Sequence, residues 1–119
     1  MKIAIPVDKN NLETNVSGTY GRAAYYYIYD KETKEAVFVE NTAASGSSGV
    51  GIKAAQILID NGVNVLLTPR LGDNAADVLQ KAKIAFYKTQ GDNLEENLQA
   101  FLEGKLEQLS EIHAGLHGN

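Results

Sequence analysis

The order of strand-like and helix-like segments is the feature that most restricts the fold of this chain. The segments rich in β-forming residues are 2–7, 23–29, 36–39, 63–68 and 84–87, and the helical patterns are 52–61, 73–83 and one that starts after Gly91. The second and third strands flank a charged turn, which predicts a hairpin. A hairpin followed by alternating strands and helices predicts a mixed α/β sheet, parallel in its second half and covered by helices.

Tyrosines alternate along the second predicted strand. Tyr25, Tyr27 and Tyr29 share one face of a two-residue period, and Tyr26 and Ile28 share the other. Aromatic residues in strands are usually part of a core. We therefore expect the tyrosines to pack under helices, with their hydroxyl groups at the margin of the sheet.

Several residues mark where the helices begin and end. Gly62 follows the first helical pattern and predicts its C-terminal cap. Asp92, with Glu95 three residues later, predicts the N-terminal cap of the third helix. Beyond Gly104, apolar residues keep near-helical spacing, which leaves open whether this tail docks or frays. These residues are Leu106, Leu109, Ile112 and Leu116.

The composition excludes several classes of protein. The chain has 119 residues, a formal charge of −4 and no cysteine. We therefore expect one globular domain without disulfides, thiolate-bound zinc or an iron–sulfur cluster held by its own thiolates. No apolar run is long enough to span a bilayer, and the N-terminal stretch is too short for a signal peptide, which predicts a cytoplasmic protein. Basic residues are scattered singly, so nucleic acid is not an expected partner.

Three loops should meet at the carboxyl ends of the parallel strands, where ligands of such sheets usually bind. They span residues 8–22, 43–51 and 69–74, and the middle loop is rich in serine and glycine. Residues 49–54 match the G-x-G-x-x-A form of a phosphate-binding fingerprint. A dinucleotide site also needs an acidic residue after the next strand, but residues 68–70 are Thr-Pro-Arg, so no nucleotide is expected. A general anion-binding loop and a plain connector both remain open.

Few side chains suit catalysis or metal binding. Arg22 and Arg70, the only two arginines, lie in loops on this edge, where a guanidinium suits either an anionic ligand or a surface salt bridge. His113 and His117 are four residues apart, a spacing that can bind a divalent metal but that solvated tail histidines also show. A metal-dependent phosphate-ester enzyme would need an acid on the first strand, and residues 2–7 hold none.

Seven short motifs, in order and with matching gaps, resemble those of one family. They are Lys2–Asp8, Tyr20–Ala23 before an aromatic strand, Asn41 before a glycine-rich loop, Gly62–Val63 before Leu66–Thr68, Gly72–Ala75, Ala82–Ile84 and Gly104–Leu106. Over residues 1–106 the chain is similar to the dinitrogenase iron–molybdenum cofactor biosynthesis family, which includes nitrogenase accessory factor-like proteins. Residues 107–119 would then form a separate tail, helical or frayed.

The resemblance implies a fold and a function. The implied fold is a ribonuclease-H-like motif, a three-layer α/β/α arrangement with a five-stranded mixed sheet. The implied function is that of a non-enzymatic carrier for a preformed iron–molybdenum or related molybdenum/iron–sulfur cluster, which it would exchange with metal-cluster donor or acceptor proteins. Such clusters bring their own sulfide, so a carrier without cysteine is chemically consistent.

The resemblance also places a site on the three loops. The residues expected to cradle the cluster are Tyr20, Gly21, Arg22, Gly46, Gly49, Gly51, Arg70, Gly72 and Asn74. From their spacing, His113 and His117 are the candidate metal ligands, if the tail folds back onto the site. Family members often have a ligating histidine just before the motif that contains Arg22, and Thr19 stands there instead. This departure and the absence of cysteine leave open, as an alternative, a regulatory or interaction module that binds a small anion or a protein partner without a cluster. A phosphate-ester enzyme on the same fold is a further alternative.

Overall fold

The computed structural model describes residues 1–110 as five strands and three helices. The elements are β1 (Lys2–Val7), β2 (Tyr25–Asp30), β3 (Glu35–Glu40), α1 (Val50–Asp60), β4 (Val65–Thr68), α2 (Asp73–Lys81), β5 (Ala85–Lys88) and α3 (Leu94–Leu102). β1 has its predicted bounds, and the other strands differ from the prediction by at most two residues at either end. Within these residues, no helix combines the length and the apolarity that crossing a bilayer requires.

The strands form one mixed sheet in the order β3-β2-β1-β4-β5. β1 lies at the centre, antiparallel to β2 and parallel to β4. β2 and β3 form the predicted hairpin, and β4 and β5 complete the parallel half. Pro6 lies near the end of β1, and its carbonyl accepts the Ser17 N–H at 2.8 Å, so its backbone groups face away from β2. On that side β4 pairs with β1 only around Ile3 and Ala4, so the missing N–H of the proline interrupts no ladder.

Helices cover both faces of the sheet. On one face, Leu58 of α1 and Leu79 of α2 join Tyr26 of β2 in a first core. On the other face, Leu94 of α3 joins Tyr27 of β2 in a second core. The alternating faces of the tyrosine-rich strand therefore enter different cores, which confirms that the tyrosines pack under helices. This three-layer arrangement with a five-stranded mixed sheet is the expected ribonuclease-H-like motif.

The C-terminus of α1 follows from one glycine. Gly62 has a φ of 70°, a left-handed conformation that glycine adopts without steric cost. Its N–H donates to the Ile59 carbonyl at 3.0 Å, and the Val63 N–H donates to the Leu58 carbonyl at 3.1 Å. This pair of bonds satisfies the last carbonyls of the helix and confirms the predicted cap.

The N-terminus of α3 corrects one prediction. Its cap is Asn93 rather than Asp92, and the Asn93 side chain accepts the Glu96 N–H at 2.9 Å. Asp92 stays outside the helix because its carbonyl accepts the Val16 N–H at 2.7 Å. Because of this hydrogen bond from a distant loop, α3 begins one residue later than the sequence predicts.

The chain after α3 returns to the edge of the sheet. The Lys88 N–H donates to the Glu107 carbonyl at 2.9 Å and the Leu109 N–H donates to the Phe86 carbonyl at 3.1 Å, so residues 107–109 run antiparallel to β5. Leu109 is buried in the first core. This part of the tail is extended because pairing with β5 satisfies its backbone groups. Residues 111–119 lie outside the described residues.

Candidate functional site

Four loops lie at the end of the sheet where β1, β4 and β5 finish, and we call this region the loop end. They are residues 8–24, 41–49, 69–72 and 89–93. Because β1, β4 and β5 are parallel and β2 enters from the same side, the three predicted ligand loops share this end. α1 and α2 also begin here. Open α/β sheets usually bind ligands at this position, so the loop end is the candidate site.

Two buried tyrosines connect the first loop to the start of α1. The Tyr20 hydroxyl donates to the Gly51 carbonyl at 3.2 Å, and the Tyr26 hydroxyl donates to the Tyr20 carbonyl at 2.5 Å. Burial raises the pKa of both phenols well above their usual value. Both hydroxyls therefore remain protonated donors. Tyr20, only 2% exposed, is a structural link rather than a surface that a ligand can reach.

Asn41 holds the turn that carries Arg22. Its side-chain amide donates to the carbonyls of Gly21 and Ala23, at 2.9 and 2.8 Å, and its side-chain oxygen accepts the Ala43 N–H at 3.2 Å. The residue is 3% exposed. Loss of this amide would leave buried carbonyls without partners, which costs more free energy than an exposed hydrogen bond contributes. The turn is therefore fixed relative to the serine–glycine loop.

Arg22 is the exposed member of this turn. Its Nη1 donates to the Ala44 carbonyl at 2.9 Å, which joins the first loop to the serine–glycine loop. A guanidinium has five N–H donors, so one such bond leaves most of these donors available to an anion. Arg22 thus combines a fixed position with accessible positive charge.

The N-terminus of α1 has no side-chain cap within the described part of the chain. It begins at Gly49, whose φ is 63°, and its first turn contains no acidic residue. The first N–H groups of the helix therefore carry the positive pole of the helix dipole without a local counter-charge. Lys53 is exposed one turn further on. This combination favours an anion at the start of α1.

The N-terminus of α2 carries the opposite local charge. Gly72 precedes the helix in an extended conformation, and no described side chain caps it. Asp73 in the first turn stabilises the helix but repels an anionic ligand. Arg70 and Asn74 are exposed nearby in the sequence. The electrostatics therefore favour α1 over α2 as the anion-binding helix.

The predicted cradle residues all lie at the loop end but differ in accessibility. The exposed or half-buried positions are Arg22, Gly46, Gly49, Arg70 and Asn74, and the buried positions are Tyr20, Gly21, Gly51 and Gly72. The buried set shapes the backbone, and the exposed set offers surface to a ligand. The two histidines predicted as metal ligands, His113 and His117, lie outside the described residues.

The loop end offers charge rather than metal ligands. Within residues 1–110, no group of three or more His, Cys, Asp or Glu side chains could hold a metal ion. Thr19 is exposed, and its N–H donates to the Ser17 hydroxyl at 3.3 Å. Asp8 accepts a hydrogen bond from the Asn15 amide at 2.9 Å, as a turn residue does. The exposed Arg22 and the uncapped start of α1 give this end of the sheet a positive charge that suits an anionic ligand.

Two residues with roles at the loop end were not among the predicted site residues. Asn41 belongs to one of the seven family motifs, but its bonds to the turn depend on carbonyls 18 and 20 positions away in the chain. Lys53 had a weak local signal, a basic residue four positions after Gly49 with no acid between them. Single basic residues are common on helix surfaces, so this signal does not indicate a site by itself.

Comparisons with known proteins identify relatives of this chain. A family model described as dinitrogenase iron-molybdenum cofactor matches residues 1–104. An uncharacterized protein of Methanocaldococcus jannaschii is 36% identical over 110 residues, which is 90% of each chain. The apo form of the orange protein from Desulfovibrio gigas has a TM-score of 0.86 and 33% identity, covering 92% of both chains. A NifB-like protein from Thermotoga has a TM-score of 0.82 and 36% identity, covering 93% of this chain and 95% of that one. The chain therefore belongs to the dinitrogenase iron-molybdenum cofactor family.

Proposed function

We propose that this protein is a non-enzymatic binding or carrier protein for an anionic iron–molybdenum or related molybdenum/iron–sulfur cluster. The observation that carries the proposal is the uncapped N-terminus of α1 together with the exposed Arg22, whose guanidinium donates to Ala44 in the loop that leads into this helix, in a chain of this family. The N–H groups of the first helical turn and the guanidinium would share the negative charge of the cluster.

The lack of cysteine supports a carrier that releases its cargo. Because the chain has no thiolate, the cluster would bring its own sulfur and would be held by hydrogen bonds and charge. Such contacts break without exchange of metal ligands, which suits transfer between donor and acceptor proteins. The family description and the NifB-like neighbour support partners that handle the same cofactor.

The chemistry of the loop end supports binding without catalysis. Tyr20 and Tyr26 make structural hydrogen bonds, and their raised pKa values keep both phenols protonated at neutral pH, so they are weak acids and supply no phenolate base. A phosphate-ester enzyme with bound metals would place carboxylates on the central strand, and the six residues of β1 include none.

Anaerobic reconstitution tests the proposal. The purified chain is mixed with tetrathiomolybdate or with an isolated iron–molybdenum cluster, passed through gel filtration, and assayed for metal and visible absorption. We expect metal to elute with the protein. Metal content no higher than that of an unrelated protein of similar net charge would overturn the proposal.

Arg22→Ala tests the site directly. Loss of a charged hydrogen-bonding group should weaken cluster retention by about tenfold. Lys31→Ala is the matched control, because it removes the same charge from the exposed hairpin turn at the opposite end of the sheet. Equal losses in both variants would indicate non-specific attraction. Unchanged retention in the Arg22 variant would remove this arginine from the site, and thermal unfolding checks that both variants remain folded.

Two further measurements test the tail histidines and the alternative function. A variant with His113→Ala and His117→Ala should lose metal only if these histidines are ligands. Binding of sulfate or molybdate, with no retention of either cluster, would favour the small-anion module instead. Thr19 supports that alternative, because its side chain replaces the histidine that would ligate a metal in this loop.

A further inference from the structure

Helices cover the two faces of the sheet unequally. The five strands, about 4.8 Å apart, form a sheet about 20 Å wide, and a helix with its side chains is about 10 Å across. α1 and α2 cover the face of the first core, whereas α3 is the only described helix on the face of the second core. Eight described apolar side chains around the second core are only partly buried, against four around the first, so the second core is the less completely covered.

α3 leaves the β2–β3 half of this face without a helix. Phe101, near the end of α3, packs against Tyr87 of β5, with ring centroids 5.0 Å apart. β5 and β3 are the two outer strands of the five-stranded sheet, so the helix ends at the side that is far from β3. The surface over β2 and β3 therefore borders solvent.

Aromatic rings form this surface, which we call the aromatic face. Tyr27 and Phe38 are paired across β2 and β3, and their rings meet edge to face with centroids 5.2 Å apart. Tyr25 and Tyr29 flank Tyr27 on the same side of β2. Tyr27 is buried, but the other three rings are half-buried. Their exposed parts are apolar surface that a partner can cover, and aromatic residues are enriched at protein interfaces.

The charged residues beside the aromatic face are acidic. Glu40 is the only charged residue among those of β2 and β3 that alternate onto this face, and α3 adds Glu95 and Glu96 and no basic residue. Burial, and then the negative charge of Glu95, raise the pKa of Tyr27, so this carboxylate lies close to the aromatic face. Within residues 1–110, none of the three glutamates takes part in an ion pair. The surface therefore combines aromatic rings with uncompensated negative charge.

We propose that the aromatic face, together with Glu40 and Glu95, is a docking surface for a basic amphipathic segment of a partner protein. Apolar side chains of the segment would cover the half-buried rings, and its lysines or arginines would lie over the tyrosine rings and beside the carboxylates. Aromatic rings and carboxylates attract the same cations, so both features favour a basic partner over an acidic one.

The same charges disfavour a second copy of this chain as the occupant. In a symmetric dimer the same patch of both copies meets, which would bring the glutamates of the two copies together. A basic partner avoids this repulsion. The proposal does not rest on the proposed cluster, because it uses the β2–β3 half of the sheet face and not the contacts of Arg22 or α1.

A designed peptide tests the proposal on the full chain without cluster. The probe is a helical peptide of leucine and lysine with a single tryptophan. The chain itself contains no tryptophan, so tryptophan fluorescence reports the peptide alone. We expect binding, with changes in amide NMR shifts concentrated on β2, β3 and the first turn of α3. A peptide with glutamate in place of lysine should not bind. Absence of binding, or shift changes confined to another surface, would overturn the proposal.

Two glutamates of β3 provide matched variants. Glu40→Lys reverses a charge beside the aromatic face and should weaken binding of the lysine peptide by about tenfold. Glu35→Lys makes the same change on the same strand, but Glu35 lines a groove with Ile28 on the opposite face, so binding should change by less than about twofold. Equal losses would show that net charge alone attracts the peptide, which contradicts a defined surface. Urea unfolding checks that both variants are folded.

Tyr29→Thr tests the rings independently of charge. Threonine keeps a high strand propensity and removes a half-buried ring, so we expect binding of the lysine peptide to weaken by about fivefold. Val37→Thr is the control, because Val37 is 56% exposed on the opposite face of the sheet. Unchanged binding in the Tyr29 variant would remove the rings from the surface. Sedimentation velocity without peptide completes the test, since a dimer that protects the amides of β2 and β3 would assign the aromatic face to a second copy and overturn the proposal.

Discussion

The N-termini of α1 and α3 differ in how their first N–H groups are satisfied. α3 begins at Asn93, whose side chain accepts the Glu96 N–H at 2.9 Å, and acidic residues occupy its first turn. α1 begins at Gly49, which has no side chain, and no acid follows in its first turn. α3 is stabilised by its own sequence, whereas the start of α1 retains an unbalanced positive pole.

The difference shows where each helix obtains its stability. α3 is fixed locally by a cap and by charge. The start of α1 is fixed from outside, through the Tyr20 hydroxyl on the Gly51 carbonyl and through the turn that Asn41 holds. A helix that is held by its neighbours can leave its N–H groups available to a ligand, and this is the arrangement expected of a binding site.

Asn41→Leu should have the largest effect on the free energy of unfolding, because it removes the hydrogen bonds that hold the turn beside the start of α1. The change leaves the buried carbonyls of Gly21 and Ala23 without donors, so we expect the free energy of unfolding to fall by about 2–4 kcal/mol. Urea unfolding measures it. Asn64→Ala is the control, since the exposed Asn64 accepts one bond from the Lys2 N–H and should cost less than about 1 kcal/mol. Equal costs would mean that the buried network adds nothing.

Gly49→Ala tests the backbone at the start of α1. Nothing lies within 4 Å of an added Cβ, but the φ of 63° is strained for any L-residue, so we expect a loss of about 1–2 kcal/mol. Gly18→Ala is the control in the same region, because it has equal space and no left-handed φ. It should change stability by less than about 0.5 kcal/mol. If both variants unfold at the same urea concentration, the conformation of Gly49 does not limit this helix start.

Asn93→Ala should remove the local cap of α3. We expect a loss of about 1 kcal/mol in urea unfolding, because the Glu96 N–H loses its acceptor. Cluster retention should stay unchanged, since the proposed contacts lie on α1. Asn10→Ala, at an exposed loop asparagine, serves as the control. A fall in retention that exceeds the control would argue that the α3 side of the loop end contributes to binding.

Ile52→Glu should make α1 resemble α3 and have the smallest effect on stability. Ile52 is 46% exposed in the first turn, so a carboxylate there should stabilise the helix by about 0.3–1 kcal/mol. The same charge should weaken retention of an anionic cluster. Ile52→Gln controls for the lost apolar surface without adding charge. Higher stability without weaker retention would separate the dipole of α1 from the binding site.

The order of the elements along the chain, the β2–β3 hairpin and the parallel second half of the sheet could be predicted from the sequence because the signals are local. β1 is a continuous apolar run, and the tyrosines of β2 alternate between two cores as their two-residue period predicts. The left-handed glycine after α1 is equally local, since the requirement for a positive φ lies in the residue itself. The three ligand loops could be assigned to one end of the sheet because the carboxyl ends of parallel strands lie on the same side.

Contacts between distant segments could not be predicted. The cap of α3 is Asn93 and not the predicted Asp92, because the Val16 N–H donates to the Asp92 carbonyl. This hydrogen bond joins distant segments, so the local sequence pattern does not indicate it. The buried, structural role of Tyr20 could not be predicted for the same reason, since its partner Gly51 lies in the first turn of α1, 31 residues away in the chain. The sequence indicated which residues surround the site, but not which are exposed to a ligand and which support the backbone.

The segment at residues 107–109 protects one edge of the sheet. Its backbone bonds with Phe86 and Lys88 occupy groups of β5 that would otherwise face outward. Unpaired backbone groups along an edge strand are a template for pairing with strands of other molecules, which leads to aggregation. The C-terminal part of the described chain therefore shields the β5 edge against aggregation.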